Sequence, residues 1–450
     1  MSRSHQVVIC GAGIAGVSAA YHLAKLGFKD VLIVDPLPPL SLTSDRSTEC
    51  YRNWWPDAAM VALMNRSIDL LEGLADESGN MFRLNRRGYL YVTGNRDGLE
   101  SFALRAERNA KLGAGPLRIH QTADANYEPS ATERLSETKG ADLLLEPALI
   151  HRHFPYVTED AVAALHVRRA GWLSAQQLGM YLLELARAWG VKVERGRVEA
   201  VDCSGGRVKE VKLASGERIG CEAFVVAAGP HIREAGRLMD IELPVRTELH
   251  LKVSFNDQLR VIDRNAPLLI WDDPQSLPWE PEERDALQSE PETRWLTESF
   301  ASGAHVRPEG YGESTNVLML WDYHERWMEP VFPPPVDDTY AEVALRGLAR
   351  MLPGLKKYFD RAPRPYVDGG YYVKTPENRP LACPLPVKGG FVLGGLSGFG
   401  IMSSCATGEL LAAQVSGGRL PEYAPAFSLE RYNDPDYPSQ MATLGDGGEL

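Results

Sequence analysis

The sequence predicts an α/β fold that contains a Rossmann-like unit, in which strands and helices alternate. The first observation is a strand–turn–helix–strand pattern in residues 7–34, where two short apolar runs flank a glycine-rich turn and a helix of small residues. The second is that two later apolar runs, 224–228 and 391–395, end in glycine-containing turns. Buried strands of this kind are typical of a mostly parallel sheet covered by helices.

The turn after the first strand has the spacing Gly11-x-Gly13-x-x-Gly16. At a strand–helix junction, these glycines permit a tight turn, close approach of the backbone to a pyrophosphate, and close packing of the helix on the strand. Asp35 ends the second strand, where a carboxylate can accept hydrogen bonds from ribose hydroxyls. Together these residues predict dinucleotide binding, and the pattern alone leaves NAD and FAD open.

Changes in local composition along the chain predict a second domain that is interleaved with the first. Residues 80–155 and 240–360 are richer in polar alternation, proline and tryptophan, and the nucleotide-binding pattern resumes after each. We therefore expect a discontinuous cofactor-binding domain, an interleaved substrate-binding domain and a C-terminal tail. Their predicted ranges are 1–80, 156–236 and 361–430 for the first, 81–155 and 237–360 for the second, and 431–450 for the tail.

Charge and cysteine content restrict the class of protein. The net charge of −12 repels a phosphate backbone, and no dense run of Lys and Arg offsets it, so nucleic acid is not an expected partner. The six cysteines include no CxxC pair, which predicts no disulfide framework and no metal site and favours a cytoplasmic protein. The apolar N-terminal stretch is interrupted by glycines, His22 and Lys25, so we expect neither a signal peptide nor a membrane span.

Four motifs occur in an order that spans nearly the whole chain: the glycine motif, Ala227-Ala-Gly-Pro230, Thr375-Pro-Glu-Asn-Arg-Pro380 and Gly395-Leu-Ser-Gly-Phe-Gly400. This order resembles the D-amino-acid-oxidase superfamily, on its sarcosine- and dimethylglycine-oxidising branch. The resemblance implies an α/β fold with a Rossmann-like FAD-binding domain of the GR2 type and an interleaved antiparallel-sheet substrate domain. It also implies an FAD-dependent oxidoreductase that oxidises a C–N bond of a secondary or tertiary amine or an N-alkyl amino acid. The imine that results is hydrolysed by water.

The resemblance extends to the cofactor contacts. A helix that begins at Gly400 or Ile401 would direct its positive end at the N1–C2=O edge of a reduced flavin. Some proteins of this branch bind FAD covalently, through a cysteine whose position here is Gly370, or through a histidine in a segment matching 41–57, which here contains none. We therefore predict FAD held without a covalent bond. The predicted cofactor-binding residues are Gly11, Gly13, Ile14, Ala15, Gly16, Asp35, Pro36, Arg46, Ser47, Thr48, Val198, Ala228, Gly229, Gly370, Gly398, Gly400, Ile401 and Met402.

Hydride transfer from an amine to flavin N5 needs positioning more than acid–base catalysis. In sarcosine-oxidase-like enzymes an arginine and a lysine bind the substrate carboxylate; Arg52 falls at the arginine position, whereas Met402 falls at the lysine position. Phe399 replaces a histidine of the family. With the tryptophan pair 54–55 and the tyrosine pair 371–372 expected nearby, this replacement predicts an aromatic pocket for a larger N-alkyl or ring-bearing amine. For the tryptophan pair, packing against the second domain is the alternative. The predicted catalytic residues are Arg52, Tyr323, His324, Tyr371, Phe399 and Met402.

The electron acceptor depends on a lysine that oxidases of this family carry on a strand of the substrate domain. Alignment places Met319 at that position, which favours a dehydrogenase and leaves dioxygen or a redox protein as the acceptor. Tyr323 and His324 match the region that supplies a substrate-facing histidine, with a solvated or core role for His324 as the alternative. His250 and Lys252 alternate on the preceding strand and share one of its faces, and which face that is stays open.

Two other functions remain open. One is a flavin-bearing subunit that passes electrons to a partner in a heteromeric dehydrogenase. The other is a protein that has kept the fold and lost catalysis. The replacement of the family's lysine by Met402 and of its histidine by Phe399 favours this alternative. In each case the expected small-molecule partner is an amine, and the acidic segment 257–316 has no assigned role.

Overall fold

The computed structural model describes residues 3–130, 138–324 and 326–442. The strands are β1 Arg3–Cys10, β2 Val31–Asp35, β3 Cys50–Arg52, β4 Tyr89–Thr93, β5 Leu117–His120, β6 Ala141–Leu144, β7 Ala163–Val167, β8 Ala170–Trp172, β9 Lys192–Arg195, β10 Val198–Asp202, β11 Glu210–Leu213, β12 Arg218–Val226, β13 Arg246–Asn256, β14 Leu268–Trp271, β15 Gln275–Ser276, β16 Ser299–Phe300, β17 His305–Pro308, β18 Asn316–Leu320, β19 Tyr366–Lys374, β20 Leu381–Pro384 and β21 Gly390–Gly394. The α-helices are α1 Ile14–Lys25, α2 Ala58–Ser78, α3 Leu99–Asn109, α4 Pro147–His153, α5 Ala175–Ala188, α6 Ile232–Arg237, α7 Pro281–Ser289, α8 Tyr340–Met351, α9 Gly400–Ser416 and α10 Tyr437–Ala442.

The first sheet is the Rossmann-like one. Strands β9, β2, β1, β12 and β21 lie side by side in parallel, and β20 pairs antiparallel with β21 at one edge. Strands β10 and β11 join antiparallel along the first half of β12. Helix α1 packs against α5 and α9, and α2 packs against α9. The carboxyl ends of the parallel strands therefore meet at one edge, where ligands of doubly wound folds bind.

Glycines set how closely the N-terminal helix approaches the sheet. Gly11 has a φ of +117°, and a Cβ there would lie 2.2 Å from the carbonyl oxygen of Ala227. A Cβ on Gly16 would lie 1.9 Å from the carbonyl oxygen of Gly11. Any larger residue at these two positions would push α1 away from β1 and β12.

Capping residues in the sequence mark the starts of α2 and α5 and the end of α2. Asp57 Oδ1 accepts a hydrogen bond from Ala59 N–H (2.8 Å) at the start of α2, and this helix ends at Gly79 with a φ of +63°. Ser174 Oγ accepts from Gln177 N–H (3.4 Å) at the start of α5. Side-chain caps satisfy backbone groups that the first turn of a helix leaves unpaired.

The second sheet has nine strands in the order β19-β13-β18-β17-β14-β4-β7-β6-β5. All neighbours are antiparallel except β14 with β4 and β5 with β6, which run parallel. Strands β13 and β19 pair over nine residues, from Arg246 opposite Lys374 to Ser254 opposite Tyr366. The predicted fold class, a Rossmann-like domain combined with a largely antiparallel second sheet, is confirmed.

The division of the chain into domains stays a prediction, and two strands lie on the other side of its boundaries. Strands β7 and β19 belong to the second sheet, although the ranges 156–236 and 361–430 were expected in the cofactor-binding domain. Part of the expected tail packs on the body: Arg431 is buried, and its Nε donates to Glu377 Oε1 (2.8 Å). Residues 443–450 of that tail lie outside the described residues.

In the described ranges, no helix has both the length and the apolar character needed to span a bilayer. Among the same residues, no cluster of three or more His, Cys, Asp or Glu side chains is arranged to hold a metal ion.

Candidate functional site

A long pocket, which we call the first pocket, opens at the carboxyl ends of β1, β2, β12 and β21. Its walls are the turn after β1, the segment 37–48, the turn after β12, one face of β13 and β19, and the turn before α9. Most of the predicted cofactor-binding residues line it. These are Gly11, Gly13, Ile14, Ala15, Asp35, Arg46, Ser47, Thr48, Ala228, Gly229, Gly370, Gly398, Gly400 and Ile401.

Two side chains hydrogen-bond to the backbone of the glycine-rich turn and fix its conformation. Asp35 Oδ2 accepts a hydrogen bond from Ala12 N–H (2.7 Å), so the carboxylate at the end of β2 also fixes the turn after β1. Ser44 Oγ accepts from Ile14 N–H (3.0 Å) at the N-terminus of α1. Ser44 was not predicted, and its place at a helix N-terminus, where anions bind, makes it a further candidate contact.

Four predicted cofactor-binding residues lie away from this pocket. Gly16 packs against Gly11 and serves the approach of helix to strand. Pro36 is exposed beside the pocket, and its carbonyl oxygen accepts from Arg195 Nε (3.2 Å). Val198 is buried in the core behind the sheet. Met402 lies in the first turn of α9, directly after Ile401, and lines the second pocket described below instead.

The turn before α9 brings backbone and an aromatic ring into contact. Residues Ser397–Phe399 form a 3₁₀ turn that leads directly into α9 at Gly400. A Cβ on Gly398 would lie 2.4 Å from Cε2 of Tyr372 on β19. The turn that leads into α9 thus lies against the Tyr372 ring, and N–H groups in the first turn of a helix can face a negatively charged group.

A second pocket adjoins the first and shares Thr48, Tyr372 and Gly398 with it. Three of the predicted catalytic residues, Arg52, Phe399 and Met402, line this second pocket. Its remaining walls come from both sheets. They are Cys50, Trp55, Tyr89, Leu268, His305 and Asp322.

Arg52 lies among aromatic rings in the second pocket. Its guanidinium carbon is 4.4 Å from the centre of the Trp55 ring and 5.7 Å from that of Tyr89. Its Nε donates to the carbonyl oxygen of Trp54 (3.3 Å). Trp55 in turn packs edge-to-face on Phe399, with ring centres 5.1 Å apart. The cation is therefore held in place at a largely apolar wall.

Three predicted catalytic side chains are directed elsewhere. Tyr323 packs its ring against Trp295, and His324 is exposed beside the same tryptophan, because β18 ends at Leu320 and its alternation does not continue. Tyr371 lines the first pocket, but its hydroxyl exchanges hydrogen bonds with the backbone of Val331. The neighbouring Tyr372 faces both pockets instead.

The strand register places Met319, the residue matched to the family's lysine, away from both pockets. Met319 is buried in the core of the second sheet, opposite Val253 on β13 and Val306 on β17. Leu320, the next residue, lines the first pocket. A shift of one residue moves a side chain to the other face of a strand.

A group of buried charges, which sequence reasoning did not assign, borders both pockets. His250 stacks on Tyr372, with ring centres 3.6 Å apart, and its Nδ1 lies 2.8 Å from Asp322 Oδ1. Its Nε2 lies 3.5 Å from Glu248 Oε1, and Lys374 Nζ lies 2.6 Å from Glu248 Oε2. The His250–Lys252 alternation was the one signal in the sequence, and the structure directs that face toward the pockets.

Burial and ion pairing act against each other in this group. Burial alone would lower the pKa of His250, but the carboxylates of Asp322 and Glu248 raise it to about 9. Burial would raise the pKa of Asp322, but the His250 imidazolium holds it below its usual value. His250 is therefore a cation and Asp322 an anion at neutral pH.

Two more titratable groups line the pockets. Burial lowers the pKa of Lys252, whose Nζ donates to the carbonyl oxygen of Ser47 (3.2 Å) and lies 3.7 Å from Asp368 Oδ1. Burial also lowers the pKa of His305, and its Nδ1 donates to the carbonyl oxygen of Gly303 (2.8 Å). The neutral His305 ring thus has Nε2 as its acceptor nitrogen.

The fold and the first pocket define a dinucleotide-binding oxidoreductase of the Rossmann-like class. The chain belongs to the FAD dependent oxidoreductase family (DAO), whose sequence profile matches residues 6–414, and members of this family bind FAD. The predicted resemblance is confirmed, and the cofactor it implied is FAD.

Similar proteins agree with this family. The chain is 25% identical to mitochondrial dimethylglycine dehydrogenase of Rattus norvegicus, over 68% of this chain and 33% of the relative. It is 26% identical to the mitochondrial pyruvate dehydrogenase phosphatase regulatory subunit of Mus musculus, over 95% of this chain and 43% of the relative. The chain thus spans less than half the length of these relatives. The crystal structure of L-proline dehydrogenase from P.horikoshii shares the fold, with a TM-score of 0.73, 18% identity and coverage of 96% of this chain and 99% of that one.

Proposed function

We propose that this chain oxidises a C–N bond of a secondary or tertiary amine or an N-alkyl amino acid, with FAD in the first pocket and the substrate in the second. The observation that carries the proposal is that the two pockets adjoin and share Thr48, Tyr372 and Gly398. A substrate in the second pocket would therefore lie against the end of the first pocket that the start of α9 borders. The resulting imine would be hydrolysed by water.

The residues of the first pocket suit FAD bound without a covalent link. The glycine turn leaves room for a pyrophosphate, and Asp35 retains lone pairs for ribose hydroxyls beyond its bonds to backbone N–H groups. A Cβ on Gly370 would lie 3.3 Å from the Arg46 Cβ, so glycine opens this wall. When bound, FAD supplies the acceptor for a hydride. The N–H groups at the start of α9, which borders this pocket, would favour negative charge on a group bound against them.

In the second pocket, Arg52 would bind a substrate carboxylate and the aromatic walls would exclude water. A guanidinium offers paired N–H donors in a plane that matches a carboxylate, which fixes the orientation of the substrate. Phe399 and Tyr372 bound the space next to the shared wall and limit where the reacting carbon can lie. His305 Nε2 is an acceptor in this pocket and can hold a proton released by the substrate amine.

Between a dehydrogenase and an oxidase, we propose a dehydrogenase that passes its electrons to a redox protein. The pocket-lining residue on β18 is the apolar Leu320, and the charge of Lys252 lies next to the carboxylate of Asp368. Reduced protein mixed rapidly with air-saturated buffer should recover its oxidised spectrum slowly. Fast recovery would make the protein an oxidase.

The test of the amine-oxidising function is an anaerobic titration of FAD-loaded protein with a panel of secondary and tertiary amines and N-alkyl amino acids. We expect at least one of them to bleach the yellow absorbance stoichiometrically. An Arg52→Ala variant loaded with FAD should respond only at much higher concentrations of carboxylate-bearing amines. Absence of bleaching by every compound contradicts the proposal.

A regulatory protein is the second candidate, because a relative aligned over 95% of this chain is named as a regulatory subunit. The Met402 and Phe399 departures also favour it. In that case FAD would bind, no amine would bleach it, and an added ligand would change the binding of a protein partner.

A further inference from the structure

Asp322 is a carboxylate at the wall of the second pocket, two residues beyond the end of β18. Its side chain is 28% exposed, although it stands among interior groups. The pocket that Asp322 lines is the one that the proposed function assigns to the substrate. A charged side chain in such a place either has a structural partner for each oxygen or meets a ligand.

One oxygen of Asp322 has a partner and the other does not. Oδ1 faces His250 Nδ1 at 2.8 Å, and His250 is itself held between Asp322 and Glu248 and stacked on Tyr372. Within the described ranges, Oδ2 has no hydrogen-bond donor. The ion pair with the imidazolium engages one edge of the carboxylate. The other acceptor edge receives no donor from the described residues, and Asp322 lines the second pocket.

The other walls of the pocket suit an alkylated cation next to this edge. Tyr372 and Phe399 line the pocket together with Asp322, and aromatic rings attract alkylammonium groups. Arg52 lines the same pocket and offers a positive group. A ligand with one cationic nitrogen and one carboxylate would match both charges.

We propose that Asp322 binds the positively charged nitrogen of the substrate while His250 positions the Asp322 carboxylate. The inference rests on the proposed function and names a residue that determines specificity in the same site. Asp322 would be a binding residue, and His250 a positioning residue that acts through it.

The selectivity can be measured without turnover. Betaine carries a quaternary nitrogen without an N–H bond or a lone pair. Its isostere 3,3-dimethylbutanoate keeps the carboxylate but has an uncharged carbon in place of the nitrogen. Both can be titrated into FAD-loaded protein while the perturbation of the flavin absorbance is recorded. We expect betaine to bind about 10- to 100-fold more tightly than the isostere, because its positive nitrogen can pair with the Asp322 carboxylate and the carbon of the isostere cannot.

Variants separate the two roles. Asp322→Asn should bring the ratio of the two dissociation constants close to one while binding of the isostere stays within about threefold. His250→Gln should reduce the ratio partly, because the carboxylate remains but loses its orienting charge. Asp160→Asn removes a carboxylate that pairs with Arg350 outside both pockets and should leave the ratio unchanged.

The wild-type ratio is decisive even if the Asp322 variant does not fold. Equal binding of betaine and its isostere, binding of neither, or a preference that survives in Asp322→Asn would each overturn the inference. These outcomes are distinct from failure of the proposed function, which is tested by whether amines bleach the flavin absorbance. Bleaching by amines together with a ratio of one would retain the oxidoreductase and remove the role of Asp322.

Discussion

Gly398→Ala should impair the protein through the Tyr372 ring. The added Cβ would lie 2.4 Å from Cε2 and 2.7 Å from Cζ of that ring. Either the ring or the turn must move by about 1 Å to reach ordinary contact at 3.4 Å. Movement of the ring is restricted, because it is stacked on His250 with ring centres 3.6 Å apart.

The displacement occurs at the wall that both pockets share. Because misplacement of reacting groups by about 1 Å costs on the order of 100-fold in rate, kcat/KM of the amine identified by titration should fall by about that factor. Overpacking should also lower the free energy of unfolding by about 1–3 kcal/mol. The assays are steady-state kinetics and urea unfolding of the FAD-loaded protein.

Gly73→Ala is the matched control, since Gly73 lies within α2 and nothing stands within 4 Å of its added Cβ. This variant should keep kcat/KM and gain up to about 1 kcal/mol of stability, as alanine does over glycine inside a helix. Wild-type kcat/KM in Gly398→Ala, or an equal loss in both variants, would refute the reasoning.

Three further predictions concern charge and the cofactor. Arg52→Lys should raise the KM of carboxylate-bearing amines about 10-fold or more, because a lysine cannot replace the paired donors of a guanidinium; an unchanged KM in steady-state kinetics would remove Arg52 from carboxylate binding. The pKa of His250 is raised to about 9, so the stability that its charge contributes is fully present below the ordinary histidine pKa and is lost as pH rises through about 9. The melting temperature of the wild type should therefore fall over that pH window, and that of His250→Gln should fall less. Acid precipitation should release all the yellow colour into the supernatant, since Gly370 offers no side chain for a covalent link; colour left in the pellet would contradict this.

Features encoded by consecutive residues could be predicted from the sequence. The turn from Gly11 to Gly16 and the acid at the end of β2 depend on local backbone geometry, and the structure places Gly11, Gly13 and Asp35 at the first pocket. The helix caps at Asp57 and Ser174 are local in the same sense. Spacing alone is sufficient where the physical requirement lies within a few residues.

Side-chain direction on strands was harder to predict. Tyr371 and Tyr372 are adjacent aromatic residues, and only the pairing of β19 with β13 decides which of them shares a face with His250. The same holds for Met319 and Leu320 on β18. A sequence shows that side chains alternate along a strand, but it does not show which of the two alternate sets faces the pocket and which faces the core.

The charged group around His250 could not be predicted because its members are far apart in sequence and ordinary in type. Asp322 lies 72 positions beyond His250, and neither residue belongs to a recognisable motif. Their burial, which makes the charges matter, arises only when β13, β18 and β19 come together. A perturbed pKa next to a pocket is the kind of signal that requires the structure.

The pocket-facing strip of β13 and β19, with Asp322 beside it, couples the two pockets through charge. Buried cations and anions alternate along it, so each offsets the cost of burying its neighbours, and removing one leaves an uncompensated charge. The strip begins with Lys252 and Asp368 beside the first pocket, passes Gly370 opposite His250, and ends at the pair of Glu248 and Lys374. Asp322, at the wall of the second pocket, pairs with His250 in the middle of the strip. A change of charge at either end therefore alters the electrostatic field at the other. The charged members are Lys252 and Asp368, His250 and Asp322, and Glu248 and Lys374.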